Sequence, residues 1–199
     1  MAHPSDWVRT CRSDNPSGAD NQQETASSSL ELDARWVVGF VDGEGCFSVS
    51  VHRNPNAVST GGWQLHPVFH VYQHHAHRAV LEALIDFFDC GTVRSKGDAS
   101  AVWTFAVDSL RKLESRVIPF FERHPLVVKQ ADFDRFATIV GAMRRREHLT
   151  PKGFERAVRL AYEMNAYGKQ RKRTMQEILA GSSETARWAR TRATPVLFS

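Results

Sequence analysis

The chain of 199 residues is long enough for one domain with a substantial buried core. Hydrophobic residues make up 42% of it, which excludes wholesale disorder, and no apolar run approaches the roughly 18 residues of a membrane span. The net charge is +4, and 13 of the 26 Lys and Arg residues lie at 144–192, against 5 acidic residues there. This uneven charge indicates a polyanionic partner or, equally, a solvated basic helical tail.

The composition of the two ends predicts where the folded domain lies, and the cysteine spacing indicates the cellular compartment. Residues 1–29 are polar and lack the apolar segment of a secretory signal, so we expect a largely disordered leader. The domain is expected at 30–180, followed by a loose tail at 181–199. The spacing of the three cysteines disfavours a disulfide framework and a structural zinc site, and it fits an intracellular location, cytoplasmic or organellar. These cysteines are Cys11, Cys46 and Cys90.

Hydrophobic periodicity predicts the elements in chain order. The first half contains a helix at 33–43 with Asp33 as its N-cap, a strand at 46–52, a long turn, a strand at 63–73 and a helix at 77–89. The second half contains strands at 90–96 and 101–107, a helix at 109–124 broken at Pro119, helices at 129–147 and 150–168, and one short helix within 174–199. The order α-β-β-α-β-β-α predicts an α+β fold, an antiparallel sheet with helices packed on one face.

The segment ARWVVGFVDGEGCFSVSV, residues 34–51, passes from a helical period to a strand period. Gly39 and Gly43 share one helix face, where each costs about 1 kcal/mol relative to alanine, so either this chain's own sheet or a second copy of the helix approaches closely there. Asp42 and Glu44 lie at the helix C-terminus, where the dipole disfavours acids. If a twofold axis joins two such ends, the acids need a cation, and hard oxygen ligands suit Mg²⁺. An ordinary turn with solvated acids is the alternative.

Residues 37–45, VVGFVDGEG, resemble the signature of the LAGLIDADG homing endonucleases. Further matches are FHVYQ at 69–73, GTVRSKG at 91–97, VIPFFERHPLVVKQADFDRF at 117–136 and LAYEMNAYGKQRKR at 160–173. The resemblance covers roughly residues 32–180 and implies the αββαββα homing-endonuclease fold. One motif per chain resembles the homodimeric members, in which two chains pair through the motif helix and form a saddle of antiparallel sheets over DNA.

The resemblance also implies a role at each matching position. Glu44 matches the metal ligand, and Gly43 lends a backbone carbonyl near the metal. Gln73 matches a polar residue that arranges active-site water, and Lys129 matches the basic residue near the scissile phosphate. Asp42 matches a residue that caps and orders the motif helix ends. The implied dimer contacts are Val38, Gly39, Asp42 and Gly43.

The outward faces of the predicted strands carry polar and basic side chains. Alternation places Phe47, Val49 and Val51 of the first strand and Phe69 and Val71 of the second toward the helices. For the fourth strand we favour Trp103, Phe105 and Val107 inward, with Val102 and Thr104 outward. Such a surface suits a DNA major groove, and an ordinary solvated face is the alternative. The predicted DNA-binding residues of the sheet are Ser48, Ser50, His52, His66, His70, Tyr72, Arg94, Lys96 and Thr104.

Two further clusters stand outside the sheet face. Lys169, Arg171, Lys172 and Arg173 are predicted on a loop, and in the family this region contacts the DNA backbone, which positions the protein without specifying a sequence. His74, His75 and His77 lie at a strand-to-helix turn. Because the sequence offers no fourth ligand beside them, we interpret these histidines as surface residues and not as a zinc site.

The sequence therefore predicts a homodimeric, Mg²⁺-dependent homing endonuclease that hydrolyses phosphodiester bonds in a long, near-palindromic site of double-stranded DNA. Other divalent ions can substitute for Mg²⁺. The resemblance further implies a mobile-element gene, carried in an intron, in an intein or alone. The alternative is a non-cleaving relative that binds DNA or RNA as a transcription regulator or an intron-splicing maturase. Retention of Glu44, Gln73 and Lys129 favours the nuclease.

Overall fold

The computed structural model describes residues 30–97, 100–165 and 173–180. Its first half contains α1 (Ala34–Glu44), β1 (Gly45–Arg53), β2 (Trp63–His74), α2 (Arg78–Phe88), β3 (Thr92–Ser95) and β4 (Val102–Val107). Its second half contains α3 (Leu110–Lys112), α4 (Ile118–Arg123), α5 (Gln130–Arg144) and α6 (Pro151–Glu163), and a short helix α7 covers 175–180. The predicted order is confirmed. The predicted leader and the predicted tail lie outside the described residues, and none of the described helices is long and apolar enough to cross a bilayer.

The four strands form one antiparallel sheet in the order β1-β2-β4-β3. Phe47 pairs with Phe69, and Phe69 pairs with Val107 on its other side, so these residues share the inner face. Thr104 pairs with Tyr72 on the outer face. The predicted inward and outward assignments, including that of the fourth strand, are therefore confirmed.

The core lies between the inner face of the sheet and the helices, and aromatic rings fill much of it. The ring of Phe47 is buried and stacks on that of Phe69 at a centroid distance of 5.0 Å. It also meets the rings of Phe121, Phe133 and Phe136, each at 5.4 Å, from α4 and α5. Apolar burial on one side of the sheet leaves exposed and half-exposed polar side chains on the other.

The predicted helix break at Pro119 does not occur. The chain stays helical from α3 to α4 through a π-helical turn, Leu113–Val117, in which the N–H of Ile118 donates to the carbonyl of Leu113, five residues back. Pro119 follows this turn as the second residue of α4. Proline has no N–H to donate to the preceding turn, and the wider π-helical turn ahead of it accommodates this loss within a continuous helix.

Candidate active site and nucleic-acid interface

Helix α1 passes into strand β1 without an intervening loop. At its start, the Asp33 carboxylate accepts hydrogen bonds from the N–H groups of Arg35 and Trp36, at 2.8 and 3.3 Å, which confirms the predicted N-cap. At its end, a Cβ on Gly45 would lie 2.6 Å from Cγ1 of Val41 and 2.7 Å from the Val41 carbonyl oxygen. This joint therefore requires glycine at residue 45, and it places Glu44 at the boundary of helix and sheet. The sequence analysis did not predict this role of Gly45. The available signal was a glycine directly after Glu44, at the change from helical to strand periodicity.

Asp42 binds the segment that precedes α5. Its carboxylate accepts hydrogen bonds from three consecutive backbone N–H groups, those of Val127 (2.7 Å), Val128 (3.1 Å) and Lys129 (3.0 Å). Such charge-assisted bonds are strong, and they hold the segment directly before α5, where a negative charge also suits the helix dipole. The structure thus shows Asp42 bound to the segment that leads into α5, and its predicted role in ordering the motif helix ends stays a prediction.

Lys129 reaches back to the end of α1. Its Nζ donates to the carbonyl oxygens of Val41 at 3.1 Å and Gly43 at 3.0 Å. Both carbonyls belong to the last turn of α1, where the helix dipole favours a cation. The Val41 carbonyl also accepts the N–H of Gly45, so Lys129 is its second donor. The structure therefore brings Lys129 next to Glu44, although the two are 85 positions apart in the sequence.

The end of α1 offers oxygen ligands to a metal ion. Glu44 and Gly43 are both exposed, and they supply a carboxylate and a carbonyl oxygen, the donor types that Mg²⁺ prefers. Within residues 30–97, 100–165 and 173–180, no group of three or more His, Cys, Asp and Glu is placed to hold a metal. The donors of one chain thus fit part of a divalent-ion site, and a second copy of Glu44 would complete the set.

Gln73 lies near this site at the end of β2. The first pair of the β1-β2 ladder joins Gly45 to Val71, so Gln73 extends two residues beyond it, toward the end of α1. Its side-chain oxygen accepts a hydrogen bond from the N–H of His74 at 2.8 Å. No described hydrogen bond joins the Gln73 side chain to Glu44 or Lys129, so its role with water stays a prediction.

One face of α1 is open. A Cβ built on Gly39 or on Gly43 meets no atom of residues 30–97, 100–165 or 173–180 within 4 Å, so packing against this part of the chain does not explain either glycine. On the same face, Trp36 is 44% exposed and its ring stacks on that of Phe40 at 4.7 Å. Of the two explanations that the sequence left open, close approach of a second helix is the one that this geometry favours.

Comparison with known proteins identifies the chain. A family model described as LAGLIDADG endonuclease matches residues 37–140, from α1 into α5. The chain belongs to this family. The prediction from the sequence is thereby confirmed, and the four-stranded sheet with helices agrees with the LAGLIDADG fold predicted for it.

Relatives with names include two homing enzymes. The chain is 31% identical over 105 residues to DNA endonuclease I-CeuI of Chlamydomonas moewusii, covering 53% of this chain and 45% of that protein. It is 28% identical over 148 residues to homing endonuclease I-ApeII of Aeropyrum pernix, covering 72% of this chain and 86% of that protein. A probable intron-encoded endonuclease of Neurospora crassa is 31% identical over 126 residues, and the match spans 27% of its length and 62% of this chain.

Solved structures show the same fold. The homing endonuclease I-TnaI is 38% identical, with a TM-score of 0.66, over 78% of this chain and 99% of that chain. The archaeal intron-encoded homing endonuclease I-Vdi141I, complexed with DNA, is 29% identical with a TM-score of 0.70, over 77% and 96% of the two chains. These relatives support the predicted class of function, a site-specific DNA endonuclease.

Histidines line the outer face of this LAGLIDADG sheet. Burial, and after it the positive charge of Arg94, lowers the pKa of His70 to about 4. The Nδ1 atom of His70 is buried and has no hydrogen-bond partner among the described residues. His52 and His66 meet edge to face at 5.9 Å, and Ser48 and Ser50 lie on the same face of β1. His70 thus presents a neutral imidazole to this surface.

The basic side chains of the outer face lie toward β3. Arg94 pairs in register with Thr104, and Thr104 pairs with Tyr72 on its other side. The Lys96 ammonium lies 5.1 Å from the centroid of the Tyr72 ring. Thr104 is only 5% exposed, so direct contact with DNA would require its neighbours to move, whereas Arg94 is exposed.

Of the two further clusters, the basic one is only partly described, whereas the three histidines all lie among the described residues. Lys169, Arg171 and Lys172 lie outside the described residues, and Arg173 is exposed with its guanidinium 5.4 Å from the Trp63 ring. At the other cluster, Nδ1 of His74 accepts a hydrogen bond from the N–H of Ala76 at 3.2 Å. That nitrogen therefore accepts a hydrogen bond within the turn and is not free to bind a metal ion.

Proposed function

We propose that the chain is a metal-dependent, site-specific DNA endonuclease that acts as a homodimer. The observation that carries the proposal is the contact of the Lys129 ammonium with the Gly43 carbonyl, 3.0 Å away, beside the exposed Glu44. In a chain of the LAGLIDADG endonuclease family, this contact puts a cation, a carboxylate and a carbonyl at one point. Those are the groups that phosphodiester hydrolysis needs.

Each residue has a stated task in this proposal. Glu44 and the carbonyl of Gly43 would hold the divalent ion, which when bound lowers the pKa of water and polarises the phosphate. The Lys129 ammonium stabilises negative charge on the phosphate oxygens. Gln73 orients water near the reacting phosphate, and Asp42 keeps Lys129 in place through the backbone.

The homodimer follows from the open face of α1. Two α1 helices would pack across Gly39 and Gly43, with Val38 and Asp42 at the sides, and each chain would contribute one Glu44. A twofold-symmetric protein reads two equivalent half-sites, so a near-palindromic target is proposed.

The intracellular location stays a prediction.

The sheet would lie in the DNA major groove. Its exposed Arg94 and the histidines and serines beside it can read base edges directly or through water. Arg173 and the three basic residues before it would contact phosphates, which makes binding sensitive to salt. I-Vdi141I, which is similar over 77% of this chain, has been solved as a complex with DNA, and this likeness supports the proposed partner.

The test uses a plasmid that carries the uninterrupted host sequence flanking the gene. The parent protein is expected to cut this plasmid in the presence of Mg²⁺ or Mn²⁺ and not in the presence of a chelator. Glu44→Gln should bind the site with unchanged affinity and fail to cut it, because the ion would lose its carboxylate. Glu31→Gln, which removes an exposed acid just before α1, is the matched control and should cut like the parent.

Two results would contradict the proposal. Cleavage by Glu44→Gln at the parent's rate would exclude the proposed metal ligand. Binding by the parent without cleavage across several divalent ions would favour the non-cleaving DNA- or RNA-binding alternative.

A further inference from the structure

The carbonyl oxygen of Gly43 already has a cationic partner within its own chain. The Lys129 Nζ lies 3.0 Å from that oxygen and 3.1 Å from the Val41 carbonyl oxygen. The last carbonyls of a helix carry partial negative charge, and they attract an ammonium group and a metal ion for the same reason. Lys129 therefore occupies the place at which the proposed function puts a divalent ion.

We propose that ion binding and the Lys129–Gly43 hydrogen bond exclude each other, so that ion loading and release of Lys129 form one coupled step. This inference rests on the proposed function, which assigns Glu44 and Gly43 to the ion. Mg²⁺ binds oxygen at about 2.1 Å, so an ion on the Gly43 carbonyl would lie within a few ångströms of the ammonium group. Like charges only a few ångströms apart repel each other, and the flexible lysine side chain gives way.

The backbone around Lys129 is held so that only its side chain needs to move. Asp42 binds the N–H groups of residues 127–129, and the N–H of Leu126 donates to the Gln130 side chain at 2.8 Å. Among the described residues, the only hydrogen bonds of the Lys129 side chain are those to its two carbonyl partners. Once released, the ammonium group stays within reach of the site and becomes available to the phosphate oxygens. In the DNA-free protein, the same contact keeps the site neutralised and lowers its affinity for ions.

The first experiment measures Mn²⁺ binding to the full-length, DNA-free protein by electron paramagnetic resonance. Lys129→Met removes the competing charge and keeps the length of the side chain, so it should bind Mn²⁺ about fivefold or more tightly than the parent. Lys96→Met, which removes one positive charge from the outer face of the sheet without touching Gly43, is the charge-matched control and should bind like the parent. Adding Glu44→Gln to Lys129→Met should abolish the gain.

The second experiment follows Lys129 itself. Acetylation of its ammonium group, measured by mass spectrometry on the parent protein, should become several-fold faster when Mg²⁺ is added, since the freed amine is more accessible. The same addition should leave the acetylation rate of Lys129 unchanged in Glu44→Gln.

Several outcomes would overturn the inference. The first is a Mn²⁺ affinity of Lys129→Met that equals the parent's, which includes undetectable binding by both proteins. The second is a gain in Mn²⁺ affinity in Lys96→Met as large as that in Lys129→Met. The third is an acetylation rate of Lys129 that does not change when Mg²⁺ is added. If the parent nevertheless cuts DNA, the proposed function stands and only the coupling fails. If the parent neither cuts DNA nor binds ions in any variant, the proposed function fails with it.

Discussion

Asp42 and Lys129 each bind the backbone around the other residue. The Asp42 carboxylate accepts the N–H of Lys129 at 3.0 Å, while the Lys129 ammonium donates to the carbonyls on either side of Asp42, those of Val41 and Gly43. Each side chain supplies the charge that the other's helix end favours, negative at the start of α5 and positive at the end of α1. The motif helix and the candidate catalytic lysine therefore form one unit.

The first prediction concerns the positioning role of Asp42. Asp42→Ala should lower the free energy of unfolding by about 1–3 kcal/mol, because it leaves three N–H groups without their acceptor. It should also slow single-turnover DNA cleavage about tenfold or more, since Lys129 loses the support of its backbone. Urea denaturation measures the first effect, and cleavage at saturating protein measures the second.

The control for this prediction is Asp33, the N-cap of α1. Asp33→Ala removes two hydrogen bonds to N–H groups at the helix start and should cost about 1 kcal/mol of stability. It should leave the cleavage rate unchanged. If both variants cut DNA equally well, Asp42 serves folding alone.

The second prediction concerns the open face of α1. A Cβ at residue 39 meets no described atom within 4 Å, and a glycine costs a helix about 1 kcal/mol relative to alanine, so we expect Gly39→Leu to leave the isolated chain no less stable. A second helix packed on Gly39 would instead clash with the new side chain. Light scattering coupled to gel filtration should therefore show a dimer for the parent and a monomer for Gly39→Leu.

Gly97 provides the comparison, because a Cβ there also meets nothing within 4 Å, at a point in the β3-β4 turn far from α1. Gly97→Leu should remain dimeric. A dimer that survives in Gly39→Leu would show that the chains do not pair through this face.

The third prediction is a pH dependence of stability. An unfolded histidine titrates near pH 6.5, whereas burial, with the charge of Arg94, lowers the pKa of His70 to about 4. As the pH falls below 6.5, His70 binds a proton in the unfolded chain but stays neutral in the folded chain. The free energy of unfolding therefore falls until about pH 4 and then levels off. Because His70 is partly solvated, we expect a loss of about 1 kcal/mol between pH 7 and pH 5.

His70→Phe should remove this part of the pH dependence, and urea denaturation at the two pH values compares it with the parent. His77→Phe, at an exposed position before α2, should retain it. An unchanged pH slope in His70→Phe would contradict the assignment to His70.

The fourth prediction concerns the sheet as a DNA surface. Arg94→Ala should weaken binding of the target in one of two measurable ways. If the guanidinium contacts a phosphate, the slope of log affinity against log salt falls by about 1. If it reads a base, affinity falls by about 1–3 kcal/mol and discrimination relaxes at one base pair. Binding titrations at several salt concentrations, with single-base variants of the site, distinguish the two.

Arg116→Ala is the matched control. Arg116 lies in the π-helical turn on the helix side and pairs with Asp89 at 2.6 Å. Its loss should leave DNA affinity unchanged. Equal weakening in both variants would point to overall charge and not to the sheet face.

Much of the fold was predictable from local pattern. The alternation in β1 and β2 correctly separates the buried Phe47 and Phe69 from the outward serines and histidines, and Asp33 was a readable N-cap. Alternation does not predict exposure, as Thr104 shows: it faces outward, but it is buried between its neighbours on the adjacent strands. Nor does a proline always predict a helix break, since the π-helical turn ahead of Pro119 keeps the helix continuous.

The sequence by itself determined the order of elements, because periodicity depends on residues a few positions apart. It also determined the family, through motifs that match in order along residues 32–180, and it singled out Glu44 as the candidate metal ligand. Only the tertiary structure decided what Asp42 and Lys129 do, since the Asp42 carboxylate and the N–H of Lys129 are 87 positions apart. It also decided that Gly39 and Gly43 face open space and not the chain's own sheet. A helix period shows which residues share a face, but what that face meets depends on where the rest of the chain packs.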